Sequence, residues 1–270
     1  MQNKRLYLVY AWLIFFGLLP IVLIVLTSFL SRTTHHLISL PFTLEHYRTL
    51  FSPLFLNVFL RSLCVGFITT TLCLLIAYPM SYFMIKSKYQ SVLLILIIIP
   101  FWTSSLVRTY ALIAILKVNG LLNLALQHVH LIKTPLSLLY SNTAVIIGLV
   151  YTLFPFMVLP LYTQMERFDF RLLDAGRDLG ASHMRLFFHV FLPNTKRGII
   201  AGTTLVFLPA MTLFYIPNIL GGARSVLLGN LIQNQFFVAE NWPQGAATSV
   251  ILTTLLISLF IFSRRTREFV

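Results

Sequence analysis

The feature that most constrains this chain is its repeated return to apolar runs about as long as a bilayer is thick. A helix needs about 20 residues to cross the hydrocarbon layer, and runs of that order begin near Leu6, Asn57, Val92, Asn142, Gly198 and Gly245. The spacing predicts an all-α membrane protein, a single transmembrane domain over 1–270 with spans at about 6–30, 57–85, 92–116, 142–161, 198–217 and 245–262. With 58% hydrophobic and 10% charged residues, the composition is not that of an ordinary soluble domain. The formal charge of +13 does not point to nucleic acid, because the cations are scattered between apolar runs and form no solvated patch.

Charge sets the orientation. With the N-terminus inside, 13 of the 20 basic residues fall on the cytoplasmic face, among them Lys4, Arg5, Lys86, Lys88 and Arg264. This asymmetry predicts both termini in the cytoplasm. Lys4 and Arg5 before an apolar run also describe a secretory signal, but Leu6–Leu30 is too long and has no small-residue cleavage site. It is expected to remain as the first helix.

One interruption, 167–197, separates the fourth and fifth runs. At helical spacing Leu172, Ala175, Leu179 and Leu186 form an apolar stripe, while Gly176 and Gly180 leave a shallow strip open to close approach. Asp169 is the expected N-cap, and Pro193-Asn194 is expected to stop the helix. Breaks or kinks are expected at Pro79, Pro155, Pro160 and Pro209. Pro41–Tyr47 reads as an ordered interfacial segment and Leu121–Val129 as a short interfacial helix. Cys64 and Cys73 stand on one predicted helix, roughly 13 Å apart along its axis, so they do not pair within the chain. His35 and His36 have no accompanying ligand set, and no metal site is expected.

Asp174-Ala175-Gly176, then Gly180, then Val190-x-Leu192-Pro193 resembles the cytoplasmic loop signature of permease subunits of bacterial ABC importers. Asp174, Gly176 and Val190 replace that signature's Glu, Ala and Ile. The strings PFWTSSLVRTYA, GLVYTLFPFMVLPLY, FYIPNILGGA and NWPQGAATS resemble more closely the membrane subunits of spermidine/putrescine importers. The resemblance implies the type I importer permease fold, with a cytoplasmic coupling helix between spans four and five and a place in the bacterial inner membrane. It also implies a second permease, two copies of a cytoplasmic ABC ATPase, a periplasmic polyamine-binding protein, and spermidine or putrescine as cargo.

The chain carries no GxxxxGK[ST] phosphate loop, so it is expected to be non-catalytic and to bind no cofactor, with ATP and Mg2+ held by partner subunits. Asp174, Ala175, Gly176, Asp178, Gly180, Leu192 and Pro193 are the candidate ATPase-coupling residues. An extended polycation needs aromatic faces and acceptors that replace its hydration. Trp102, Tyr110, Tyr151, Tyr215 and Asn218 are the candidates for a pathway or gate, and Glu240 for a periplasmic contact. Interfacial anchoring is the competing role for Trp102 and Tyr110. Arg108 repels a polyamine and is expected to cap, snorkel or organise acceptors. The alternatives in function are a permease for another small solute of the same superfamily or a secondary transporter, the latter lacking a paired discontinuous-helix signal.

Overall fold

Nothing in Gln2–Ser28 opposes helix except Pro20, and α1 covers the whole stretch. The computed structural model describes residues 2–33, 36–222 and 225–268; His35 and Ala223 lie outside them. After α1 the all-α expectation needs correction: β1 (Leu30–Thr33) and β2 (His36–Phe42) pair as an antiparallel hairpin. Ser31 and Ser39 face each other, with their hydroxyls 3.1 Å apart. Short α2 (Glu45–Thr49) leads to α3 (Pro53–Lys86), where the Ser52 hydroxyl accepts from the Phe55 N–H. Pro79 lies inside α3 without ending it.

The third apolar run is not one helix. It divides into α4 (Gln90–Ile98), a 3-10 turn at Ile99–Trp102 and α5 (Ser105–Leu116). Pro100 lacks the N–H that a continuous helix needs, and Thr103 is extended at φ −85° and ψ 153°. Next comes α6 (Leu121–His128), anchored by buried Asn123, whose amide donates to the carbonyls of Val118 and Leu136 and accepts from the Leu136 N–H. The longer α7 (Asn142–Glu166) runs unbroken through Pro155 and Pro160.

The polar interruption folds as α8 (Arg171–Asp178) and α9 (His183–Leu186), then a π turn at Phe187–Phe191 that passes directly into α10 (Leu192–Thr212). Pro193 therefore opens α10 and does not stop a helix. The π turn absorbs the mismatch, while Asn194 Nδ2 donates to the Val190 carbonyl at 2.7 Å and Thr195 Oγ1 to the Phe191 carbonyl at 3.1 Å. Pro209 is likewise inside α10; the break comes later, at Leu213, followed by a second π turn at Pro217–Gly221. α11 (Leu228–Phe237) and α12 (Trp242–Glu268) complete the order.

Among the described residues, three helical stretches are long and apolar enough to cross a bilayer: Pro53–Lys86, Ser105–His128 and Asn142–Glu166. The last is the most enclosed of them.

The chain forms two compact units, one of Met1–Leu60 with Leu228–Val270, the other of Arg61–Leu227. In the first, α12 packs against α1, α11 and the hairpin. His46 ties these pieces together, Nδ1 lying 3.0 Å from Gln244 Oε1 and Nε2 3.1 Å from the Leu30 carbonyl. The core of the second is the seam between α7 and α10. A Cβ on Gly198 would come within 2.9 Å of the Pro160 carbonyl, and one on Gly202 within 2.6 Å of Met157 Sδ. Small residues four apart let two helix backbones approach in this way. Cys73 Sγ, 3.7 Å from the Val150 carbonyl, joins α3 to the same core.

Replacing Gly198 by Ala should therefore destabilise the purified protein by about 1–3 kcal/mol through overpacking. Thermal unfolding in detergent would show this, with Gly17→Ala as a control because nothing lies within 4 Å of that position.

Candidate functional site

The loop helix is built by its two ends. At the start, the Asp169 carboxylate accepts from the Arg171 N–H at 3.0 Å, while Phe170 occupies the capping position. Asp169 thus serves the first turn from one residue further out than expected. At the end, the Gly180 N–H donates to the Arg177 carbonyl at 2.8 Å and the Ala181 N–H to the Gly176 carbonyl at 3.0 Å. This pair of bonds is a Schellman closure, and it requires the left-handed φ of +78° that Gly180 adopts.

The candidate coupling residues separate by environment. Asp174 pairs with Arg177 of its own helix at 2.9 Å, both exposed. Asp178, also exposed, makes no ion pair or side-chain hydrogen bond among the described residues. Ala175 is exposed, as are Leu172 and Leu179, the latter at 88%. Only Leu186 of the expected apolar stripe is buried, at 5%. It lies over Gly176, where a Cβ would meet Leu186 Cδ2 at 2.4 Å. The space beside Gly176 is thus filled from within the chain, whereas Gly180 faces open space. Leu192 is half-buried and Pro193 exposed at the start of α10.

Phe191, 1% exposed, connects this loop to the helices. Its ring centroid lies 5.1 Å from Phe168, 5.2 Å from Tyr82, 6.1 Å from Phe187, 6.2 Å from Tyr78 and 6.3 Å from Phe170. Tyr78 adds a hydroxyl bond of 2.9 Å to buried Thr195 of α10. Lys86 Nζ stands 4.3 Å over the Tyr82 ring. Beside this cluster a groove of about 290 Å³ opens between Tyr82, Leu173, Arg177, His183 and Met184.

The pathway candidates do not converge on one point. The hydroxyls of Tyr215 and Ser105 hydrogen-bond, joining the turn after α10 to the first residue of α5. Asn218 is exposed on the same turn as Tyr215, its N–H donating to the Phe214 carbonyl at 3.1 Å. Trp102 and Tyr110 are 85% and 60% exposed. Tyr151 lines an apolar cleft of about 330 Å³ with Ile76, Phe101, Phe154 and Pro155. Glu240, in the other unit, is exposed with a left-handed φ of 49°.

A family model, the binding-protein-dependent transport system inner membrane component, matches residues 49–266. The chain belongs to this family. It is 46% identical over 266 residues to the spermidine/putrescine transport system permease protein PotB of Haemophilus influenzae, covering 97% of this chain and 93% of that protein. To the protein of the same name in Escherichia coli it is 45% identical over 259 residues, 95% and 94% of the two chains. In structure it resembles a chain of a bacterial alginate ABC transporter in complex with an alginate pentasaccharide-bound periplasmic protein, with a TM-score of 0.75, 13% identity and coverage of 97% and 94%. That likeness is one of fold.

This member of the binding-protein-dependent transport family is a multi-pass inner membrane permease, and its loop is organised by residues that motif reading passes over. Phe191 was legible only as one apolar residue among several, since aromatic spacing in sequence does not reveal a shared centre. The Ser105–Tyr215 bond joins residues 110 positions apart and leaves no local signal.

Gly180→Ala should cost about 1–2 kcal/mol, the strain of a side chain at left-handed φ. Hydrogen exchange at the Gly180 and Ala181 amides should then quicken by roughly 5- to 30-fold, with the amides of α7 unchanged.

Proposed function

We propose that this chain is the transmembrane subunit that forms, with a second permease, the path for ATP-driven uptake of spermidine or putrescine delivered by a periplasmic binding protein. The observation that carries this is near-half identity along almost the whole chain to proteins named for that transport. The six spans expected from sequence, with both termini and the 167–197 loop in the cytoplasm, give two copies of an ABC ATPase access to α8. ATP and Mg2+ are held there by the ATPases and not by this chain.

The geometry supports a route for coupling. α8 carries exposed Asp178, Ala175 and Leu179 outward, and its inner side is locked to Leu186 through Gly176. From Leu186 the helical backbone continues through the π turn and α10 to Thr212. A rod of His183–Thr212 is about 45 Å long at 1.5 Å per residue, enough to cross the membrane. Beyond the break at Leu213 stand Tyr215 and Asn218, with Tyr215 bonded to Ser105 of α5. Movement imposed on α8 by closing ATPases would reach this turn, while the Phe191 cluster carries the same displacement to Tyr78 and Tyr82 of α3. Two states biased differently by nucleotide are what such coupling requires.

Substrate chemistry fits a weak, multi-site path. No Asp or Glu lies between Glu45 and Glu166, so the charge of a polyamine is met along these helices by aromatic faces and hydroxyls, with any carboxylate coming from the second permease. Glu240, in the connection before α12, is placed for a contact with the binding protein or incoming cargo.

ATP-dependent uptake of labelled spermidine and putrescine into vesicles bearing the full assembly tests this. Uptake should be saturable and should fall by roughly tenfold or more with Asp174→Lys, a loss of about 1.4 kcal/mol or more in coupling, without loss of inserted protein. Robust uptake of a different solute, with no polyamine transport, would assign the chain to another cargo.

A further inference from the structure

Among the described residues, Arg108 is a cation without an anionic partner. It lies on α5 with its Cζ 4.2 Å from the centroid of the Phe101 ring. Its Nε and Nη1 are sealed from the surface and meet no hydrogen-bond acceptor; Nη2 is not sealed. No acidic residue occurs between Glu45 and Glu166, and the one ion pair among the described residues is the distant loop pair of Asp174 and Arg177. A guanidinium does not shed its proton to escape such a place. Within a membrane, charged side chains turn toward another charge, a backbone acceptor or a water-filled cavity. The ring of Phe101 offers only a weaker cation–π contact.

Position narrows the source of the anion. At helical spacing Arg108 shares its face with Ser105 and buried Leu112, and stands opposite exposed Leu106 and Tyr110. Ser105 is itself engaged by Tyr215. Exposed Ser104 and Ala111, both small, flank Arg108 on that face and leave room for a neighbouring protein helix, and a polyamine is repelled by like charge. We propose that Arg108 is an interface residue: through Nη2 it takes a carboxylate carried by a membrane span of the second permease, and this pair sets how the two permeases register. The inference rests on the reading that the chain works with a second permease.

The test uses the complete complex recovered from membranes through a tag on this chain. With Arg108→Glu, the second permease recovered should fall by roughly tenfold or more, the scale expected when one partner of a buried pair is inverted. Arg108→Lys should retain assembly, and a lipid-soluble carbodiimide should then join the introduced amine to an Asp or Glu of the second permease, as an amide detectable by mass spectrometry. Should Arg108→Glu fail to insert, the cross-link in Arg108→Lys decides alone. Full recovery of the second permease with Arg108→Glu, or an assembled Arg108→Lys complex with no amide to that subunit, would overturn the proposal. If the unaltered chain recovers no second permease, the two-permease reading falls and takes this proposal with it.

Discussion

The close seam between α7 and α10 is the contact on which the larger unit depends. In lipid, apolar surface gains little by leaving one hydrocarbon for another, so helices are held by close packing and by hydrogen bonds that lipid cannot replace. Gly198 and Gly202 supply the first by removing the side chains that would hold the Pro160 carbonyl and Met157 away. Tyr78 and Thr195 supply the second beside it. Met157, Leu161 and Met165 are fully enclosed as a result. α7 runs unbroken through Pro155 and Pro160 along this packed stretch.

A π turn precedes α10, and another follows the break at its far end. Such turns widen the helix by a residue and redirect the side chains that follow. At the first, the redirection brings Phe191 into the centre of five other rings. At the second, the turn carries Asn218 and ends at Gly222, which has a positive φ. A stiff helix with an altered turn near each end can pass a displacement along its length while letting its ends repack. The loop helix and Tyr215 are the two groups so connected.

The loop signature reads in sequence as an expected docking surface, and the structure divides its residues by environment. Gly180 closes α8 and Gly176 admits Leu186, so both serve the fold of the loop itself. Asp178, Ala175 and Leu179 are the ones that remain outward. The aromatic pathway candidates follow from residue type and position along the runs, and neither reports the direction of a side chain. Tyr215 proved to be tied to α5, whereas Tyr151 lines a cleft with Phe101 and Trp102 is almost fully exposed. The charge of Arg108 makes it unsuited to a polycation, but its sealed and unpartnered nitrogens emerge only when the turn carrying Phe101 is folded beside it.

By itself the sequence determined a membrane chain built mostly from helices and the place of its polar loop. These follow from hydropathy and charge, which are properties of short windows of residues. The tertiary structure decided that Ser31 and Ser39 pair in a hairpin, that the third run breaks at Pro100–Thr103, and that Pro193 continues a helix which local rules would end. Each of these depends on backbone groups finding partners from elsewhere in the chain or from a side chain one turn away. A bilayer makes that condition strict, because an unpaired N–H or carbonyl has no water to meet it.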